Sequence, residues 1–236
     1  MNLIRNSKNK FMRYLMMVIV LSCVSFSYTY AQTITREDAK TFIEKDISNE
    51  PTKQQVKKAD EWVGSLDLSN RTKEQRLRVL IAGYLKEIRN WHNSHSFEDV
   101  PAGINPKTGE ALTDLDRQII IDSSIPDSVH DDFMKDLRKD LDQKQVEIIM
   151  DKYTIGKVDF TFSAYKTIVP DMTQEEGKVV LEYLKQARAK AMIYKNMKEI
   201  SAIFEIYKTK SENYFNTHGR NWRDIYQAYY EKVNSK

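Results

Sequence analysis

The chain has 236 residues, with 37 Lys+Arg against 34 Asp+Glu and a formal net charge of +3. Four of the cations, Arg5, Lys8, Lys10 and Arg13, fall in residues 1–31, which hold no acid, so residues 32–236 carry 33 cations against 34 acids, a net of −1. A near-neutral chain that is 30% charged and 41% apolar excludes a strongly basic nucleic-acid binder and a disordered polyelectrolyte, and 7 Gly with 5 Pro disfavour a turn-rich all-β fold.

The early cations precede the apolar run Tyr14-Leu15-Met16-Met17-Val18-Ile19-Val20-Leu21, and Ala31 closes the following stretch of small and aromatic residues. A basic start, an apolar centre and a small residue at the cut predict a signal peptide over 1–31, removed before Gln32. The run is shorter than the ~20 residues that span a bilayer. The mature protein is therefore expected to be exported, periplasmic or secreted, with no membrane insertion after cleavage. The alternative processing is a lipid anchor at Cys23, because Val20-Leu21-Ser22-Cys23 resembles a bacterial lipobox. Cys23 is the only cysteine. Cleavage at Ala31 removes it, and with it any disulfide, thiol nucleophile or cysteine metal site.

Residues 32–236 read as a single all-α domain, a bundle of roughly eight helices. Start signals recur at Thr35/Asp38, Thr52/Gln55, Thr72/Gln75, Thr113/Asp116, Asp142/Gln145 and Thr173/Glu176. In each, a short oxygen side chain accepts from an orphan N–H and the residue three positions on reaches back. Apolar residues follow at helical spacing. Leu77, Leu80, Ile81, Tyr84, Leu85, Ile88 and Trp91 form one stripe. Phe133, Leu137 and Leu141 form a shorter one, as do Val146, Ile149, Met150 and Tyr153. Val180, Leu184, Ala187, Ala191 and Tyr194 mark another, and Ile200, Ile203, Phe204, Tyr207, Ser211 and Tyr214 the last. Gly156 and Gly219 stand where left-handed C-caps would end helices. Pro101, Gly103, Pro106 and Gly109 make residues 100–110 a loop. Residues 157–162 alternate Val158, Phe160 and Phe162 with polar residues, which predicts an extended connector into a short helix ending before Pro170.

Few motifs carry chemistry. On a helix His92, His95 and Asp99 share a face, with Glu98 alongside, and could bind zinc. Their spacing departs from the His-Glu-x-x-His pattern of helical zinc sites, so a solvated helix end is the preferred reading and no metal or cofactor is expected. Asp114, Asp116 and Asp122 lack the alternating ligands and central glycine of a calcium loop. No Gly-x-Ser-x-Gly elbow and no phosphate-cradling glycine loop occurs.

Aromatic residues concentrate late: of 20 beyond residue 31, 14 lie between Tyr153 and Tyr230. Flat rings suit the C–H faces of sugars, with polar groups beside them for the hydroxyls. Tyr183, Phe204 and Tyr207 fit core stripes, whereas Phe160, Phe162, Tyr165 and Trp222 are better pocket candidates. The segment from Trp222 to Tyr230 is amphipathic and reads as a terminal helix closing the bundle.

The residues from Tyr153 to Tyr165 resemble a motif of a secreted bacterial family of unknown function, domain-of-unknown-function 3826. Matches continue from Pro170 to Glu176, from Ala187 to Met192, from Phe204 to Lys208 and from Glu212 to Phe215. Upstream, Ala59 to Val63, Ile88 to His92 and Leu141 to Val146 fit as well. The resemblance implies an all-helical exported protein in a carbohydrate context, since family members occur beside polysaccharide-degrading enzymes and some are named sugar-binding proteins. It brings no catalytic residues. The chain departs from the family at Ile193-Tyr194-Lys195-Asn196-Met197, where a Gly-Ser-rich connection is expected.

The expectation is an exported, non-catalytic protein that binds a carbohydrate, with Arg and Lys suiting an acidic sugar. The expected site groups Phe162, Tyr165, Arg188, Lys208, Asn213 and Tyr214, with His92 contributing. One alternative is an enzyme acting on glycan fragments, with His92 or Tyr165 moving the proton and Arg188 neutralising a carboxylate. Another is a structural accessory that binds a protein through its C-terminal helix.

Overall fold

The computed structural model describes residues 49–106 and 108–235. The expected signal peptide, Cys23 and the Thr35/Asp38 start signal lie outside them. The described residues form nine α-helices and no strand. In chain order these are α1 (Lys53–Gly64), α2 (Arg71–Ser94), α3 (Asp114–Asp122), α4 (Asp127–Leu137), α5 (Gln143–Tyr153), α6 (Lys157–Ile168), α7 (Gln174–Ala191), α8 (Met197–Thr217) and α9 (Trp222–Asn234). A single 3₁₀ turn, Phe97–Asp99, follows α2.

The start signals act as their chemistry requires. Thr52/Gln55, Thr113/Asp116, Asp142/Gln145 and Thr173/Glu176 each close a reciprocal capping box. The fifth does not. Helix α2 begins at Arg71, and its cap is Asn70, whose side chain accepts from the Lys73 N–H. Two further caps carry no threonine signal: Asn196 with Glu199 on α8, and Asn221 on α9.

The stripes become the core. Leu77, Ile81, Leu137, Val146, Ile149, Val180, Leu184, Ala187, Ala191 and Met192 are completely buried. Each buried Leu or Ile contributes about 1.5–3 kcal/mol relative to exposure. Helix α8 packs along α7, α1 along α2, α6 against α7, and α4 against α2. Two tyrosines tie the connection between α7 and α8 to the core. The Tyr84 hydroxyl donates to the Met192 carbonyl at 2.9 Å, and Tyr153 donates to the Tyr194 carbonyl at 2.9 Å. The Tyr84 ring also stacks on Phe133, with centroids 3.8 Å apart. On α8 the apolar stripe drifts by one position at its end, so Phe215 is fully buried and Tyr214 is only half-buried.

The loop over residues 100–110 is present and narrows to one antiparallel bridge between Ile104 and Ala111. The extended connector over 157–162 is not: those residues open α6. The alternating pattern misled because Phe160 points to solvent at 76% exposure, while Val158, Thr161 and Tyr165 are buried at helical spacing. The chain turns into α6 through two left-handed residues, Ile155 (φ 54°) and Gly156 (φ 62°). The Gly156 N–H closes a six-residue turn onto the Asp151 carbonyl at 2.8 Å, which places Ile155, and not the glycine, at the usual left-handed cap position. After α8 the expected glycine, Gly219 (φ 86°), does occupy that position, and the Arg220 N–H returns to the Phe215 carbonyl. Helix α9 packs on α8 and α6 and closes that end of the bundle. No described helix is long and apolar enough to cross a membrane.

Candidate functional site

Where α6, α8 and α9 meet, they enclose a cleft of about 380 Å³ lined by Thr161, Ala164, Tyr165, Ile168, Lys208, Glu212, Trp222 and Tyr226. Helical spacing builds it. Thr161, Tyr165 and Ile168 project from one face of α6, Lys208 and Glu212 lie one turn apart on α8, and Trp222 and Tyr226 one turn apart on α9. The rings interlock. Trp222 stacks on Phe215 at 5.8 Å and 10°, contacts Tyr165 at 5.5 Å, and reaches Tyr226 at 6.2 Å. Phe215 is fully buried, so it backs Trp222 from the core side, while Tyr226 is 48% exposed at the rim.

The polar groups are placed by the same helices. The Tyr165 hydroxyl donates to the Lys208 carbonyl at 3.2 Å. Burial, reinforced by the Glu212 carboxylate, pushes that phenol well above its ordinary value, so it remains a neutral donor. The Lys208 ammonium is held by both carboxylate oxygens of Glu205, at 3.0 and 2.9 Å. The rim thus carries one ammonium and two carboxylates.

Of the sequence-predicted residues, Tyr165 and Lys208 meet in this cleft. Phe162 lies in a neighbouring depression between α6 and α7, with Lys166 over its ring at 4.4 Å. Asn213 is exposed, and Tyr214 stacks on His218 at 4.0 Å. Arg188 is buried, donating to Asp151 at 2.7 Å with Glu147 at 3.7 Å, and so ties α7 to α5. Its Nε has no hydrogen-bond partner. Trp222, chosen as a pocket candidate, does line the cleft; Phe160 does not. Sequence reasoning missed Glu212 and Tyr226, although each stands four residues from a residue it had singled out, Lys208 and Trp222. A wider groove of about 690 Å³ on α2, lined by Arg71, Arg76, Val79 and Leu80 among others, presents no aromatic ring.

His92 occupies a different place. It does not join His95, which stacks on Trp91 at 3.8 Å, or Asp99, which caps the 3₁₀ turn through the Ser96 N–H. The His92 Nδ1 instead lies 2.9 Å from Asp122 Oδ2 and 3.5 Å from Glu199 Oε1. The ends of α2 and α3 and the start of α8 bring these three together. Asp122 and Glu199 are 1% and 2% exposed. Gln118 donates to Asp122 Oδ1 at 3.0 Å, and the Lys195 N–H to Glu199 Oε2 at 3.2 Å. Burial, with Asp122 nearby, raises the Glu199 carboxyl above its ordinary value. The donor set, one imidazole and two carboxylates within 4.8 Å of one another, is one that can hold a metal ion.

No curated protein matches the chain. Residues 52–235, more than three quarters of the sequence, match a family described as "Protein of unknown function (DUF3826)", and the chain belongs to that family.

Proposed function

We propose that the protein is an exported carbohydrate-binding protein whose ligand sits in the cleft of Tyr165, Trp222, Tyr226, Lys208 and Glu212. The observation that carries this reading is the pair Trp222 and Tyr226, which stand one turn apart at the mouth of a pocket that also holds an ammonium and a carboxylate. Rings stack on the apolar face of a pyranose, while Lys208 and Glu212 donate to and accept from its hydroxyls. A volume of about 380 Å³ suits one or two sugar rings rather than a long chain.

The charge of the rim shapes the ligand. Arg188 is committed to Asp151 and Glu147, so it offers nothing to a uronate. Lys208 faces Glu205 and shares the cleft with Glu212. A neutral sugar therefore fits better than the acidic one that Arg188 and Lys208 suggested. The residues of an enzymatic reading, His92, Tyr165 and Arg188, stand in three different settings with three different sets of partners, which favours binding over catalysis.

A glycan array of neutral and uronate-bearing oligosaccharides tests the proposal. Binding to neutral members, weakened in Tyr226→Ala, supports it. No retained glycan at millimolar ligand refutes it and leaves the accessory-protein reading. The exposed Tyr230 and Val233 of α9 are the observation that favours that second reading.

A further inference from the structure

We infer that His92, Asp122 and Glu199 form a site for a divalent transition-metal ion, separate from the aromatic cleft. Two carboxylates that are 1% and 2% exposed share one imidazole as their charged partner. A divalent cation held among the three would pair with both carboxylates at once, and burial makes such pairing strong.

The geometry agrees. Ligand atoms bound at about 2.1 Å from one ion lie about 3.0 Å apart at a right angle and about 3.4 Å apart at a tetrahedral one. The observed separations from His92 Nδ1 are 2.9 Å to Asp122 Oδ2 and 3.5 Å to Glu199 Oε1. The outer groups aim the ligands. Gln118 Nε2 holds Asp122 by its other oxygen and also donates to the His95 carbonyl at 3.1 Å, which fixes the amide. Backbone N–H groups of Lys195 and Asn196 hold Glu199 Oε2, and the Asn196 side-chain amide donates to Oε1, the oxygen that faces His92. Such outer partners are what metal sites use to orient their ligands.

The chemistry of the donors narrows the ion. One nitrogen and two oxygens suit zinc or manganese, whereas calcium requires six to eight oxygens. Three protein ligands leave at least one position for water, as in catalytic rather than closed structural zinc sites. The His92 side chain, at 19% exposure, is the accessible member and marks the entry path. The local sequence gave no sign of this set, because its members stand 30 and 107 residues from His92.

The test is metal content. The full chain is stripped with chelator, dialysed against zinc or manganese chloride, and measured by elemental mass spectrometry. The expected result is one equivalent in the wild type and none in Asp122→Asn or Glu199→Gln. Gln118→Ala keeps all three ligands and is expected to weaken binding by about 10–100-fold, so it reports even if a ligand variant fails to fold. A wild-type chain that holds neither ion overturns the assignment. So does one equivalent bound with unchanged affinity by all three variants.

Discussion

Replacing Arg188 with alanine separates two roles that the residue could play. The guanidinium is 5% exposed and joins α7 to Asp151 and Glu147 on α5, whose side chains are 36% and 33% exposed. Losing hydrogen bonds to a charged group costs about 1.5–3 kcal/mol. The removed apolar stem adds about 2 kcal/mol of lost burial. Two effects pull the other way. Water reaches the partly exposed carboxylates, so the 3–5 kcal/mol seen for fully buried broken pairs is not reached. The unpartnered Nε also ceases to be buried, which returns about 1–3 kcal/mol. The net destabilisation is about 2–3 kcal/mol, or about 5–10 °C in the unfolding midpoint of a domain this size. Thermal and urea unfolding of Arg188→Ala and Arg188→Met measure it. Arg188→Met keeps most of the stem and is expected to lose less. An unchanged midpoint in Arg188→Ala together with lost glycan retention would refute the structural assignment and return Arg188 to the ligand.

Other consequences are as direct. Ile155 holds a left-handed conformation that costs a β-branched residue about 1–2 kcal/mol, and it is 67% exposed. Ile155→Gly is therefore expected to raise stability by about 0.5–1 kcal/mol after glycine's greater unfolded-state freedom is counted, measured by urea unfolding. The Arg220 guanidinium donates to both oxygens of Glu176 and holds its carboxyl at about 2 against an ordinary 4.5. A depressed carboxyl contributes stability that is full above its unfolded value and lost as pH falls towards the folded one. Wild-type stability should thus decline from pH 4.5 towards 2, and Glu176→Gln should be less stable at neutral pH with a shallower acid decline, read from melting curves across that range. Tyr165→Phe removes the bond to the Lys208 carbonyl but keeps the ring, so it should cost about 0.5–1.5 kcal/mol of stability and leave glycan retention nearly intact.

What was legible in the sequence was local. A capping box needs two residues three apart, and four of the five that fall on described residues formed as read. The core stripes of α7 and α8 followed from spacing because burial on a helix repeats every turn. The misreading of 157–162 came from the same source: a short run can show both periods, and only the solvent-facing Phe160 decides between them. The sites were harder, because they depend on which helix faces which. Arg188 stands four residues from the buried Leu184, so its place on the apolar stripe already pointed to a buried ion pair. Glu199 similarly adjoins Ile200 and sits four before Ile203, on the inward face of α8. Nothing local, however, tells that the end of α2 meets the end of α3 and the start of α8. The connection between α7 and α8 ends in the Asn196 cap that positions Glu199.

The central claim is that the rings of α9 hold a sugar. Calorimetric titration of the neutral oligosaccharide best retained on the array, into wild type and Trp222→Ala, tests it most directly. The account predicts saturable binding at one site, weakened by about 1–3 kcal/mol when the ring is removed from a still-folded chain, in keeping with a fully used aromatic contact. Equal affinity for the two proteins would contradict it.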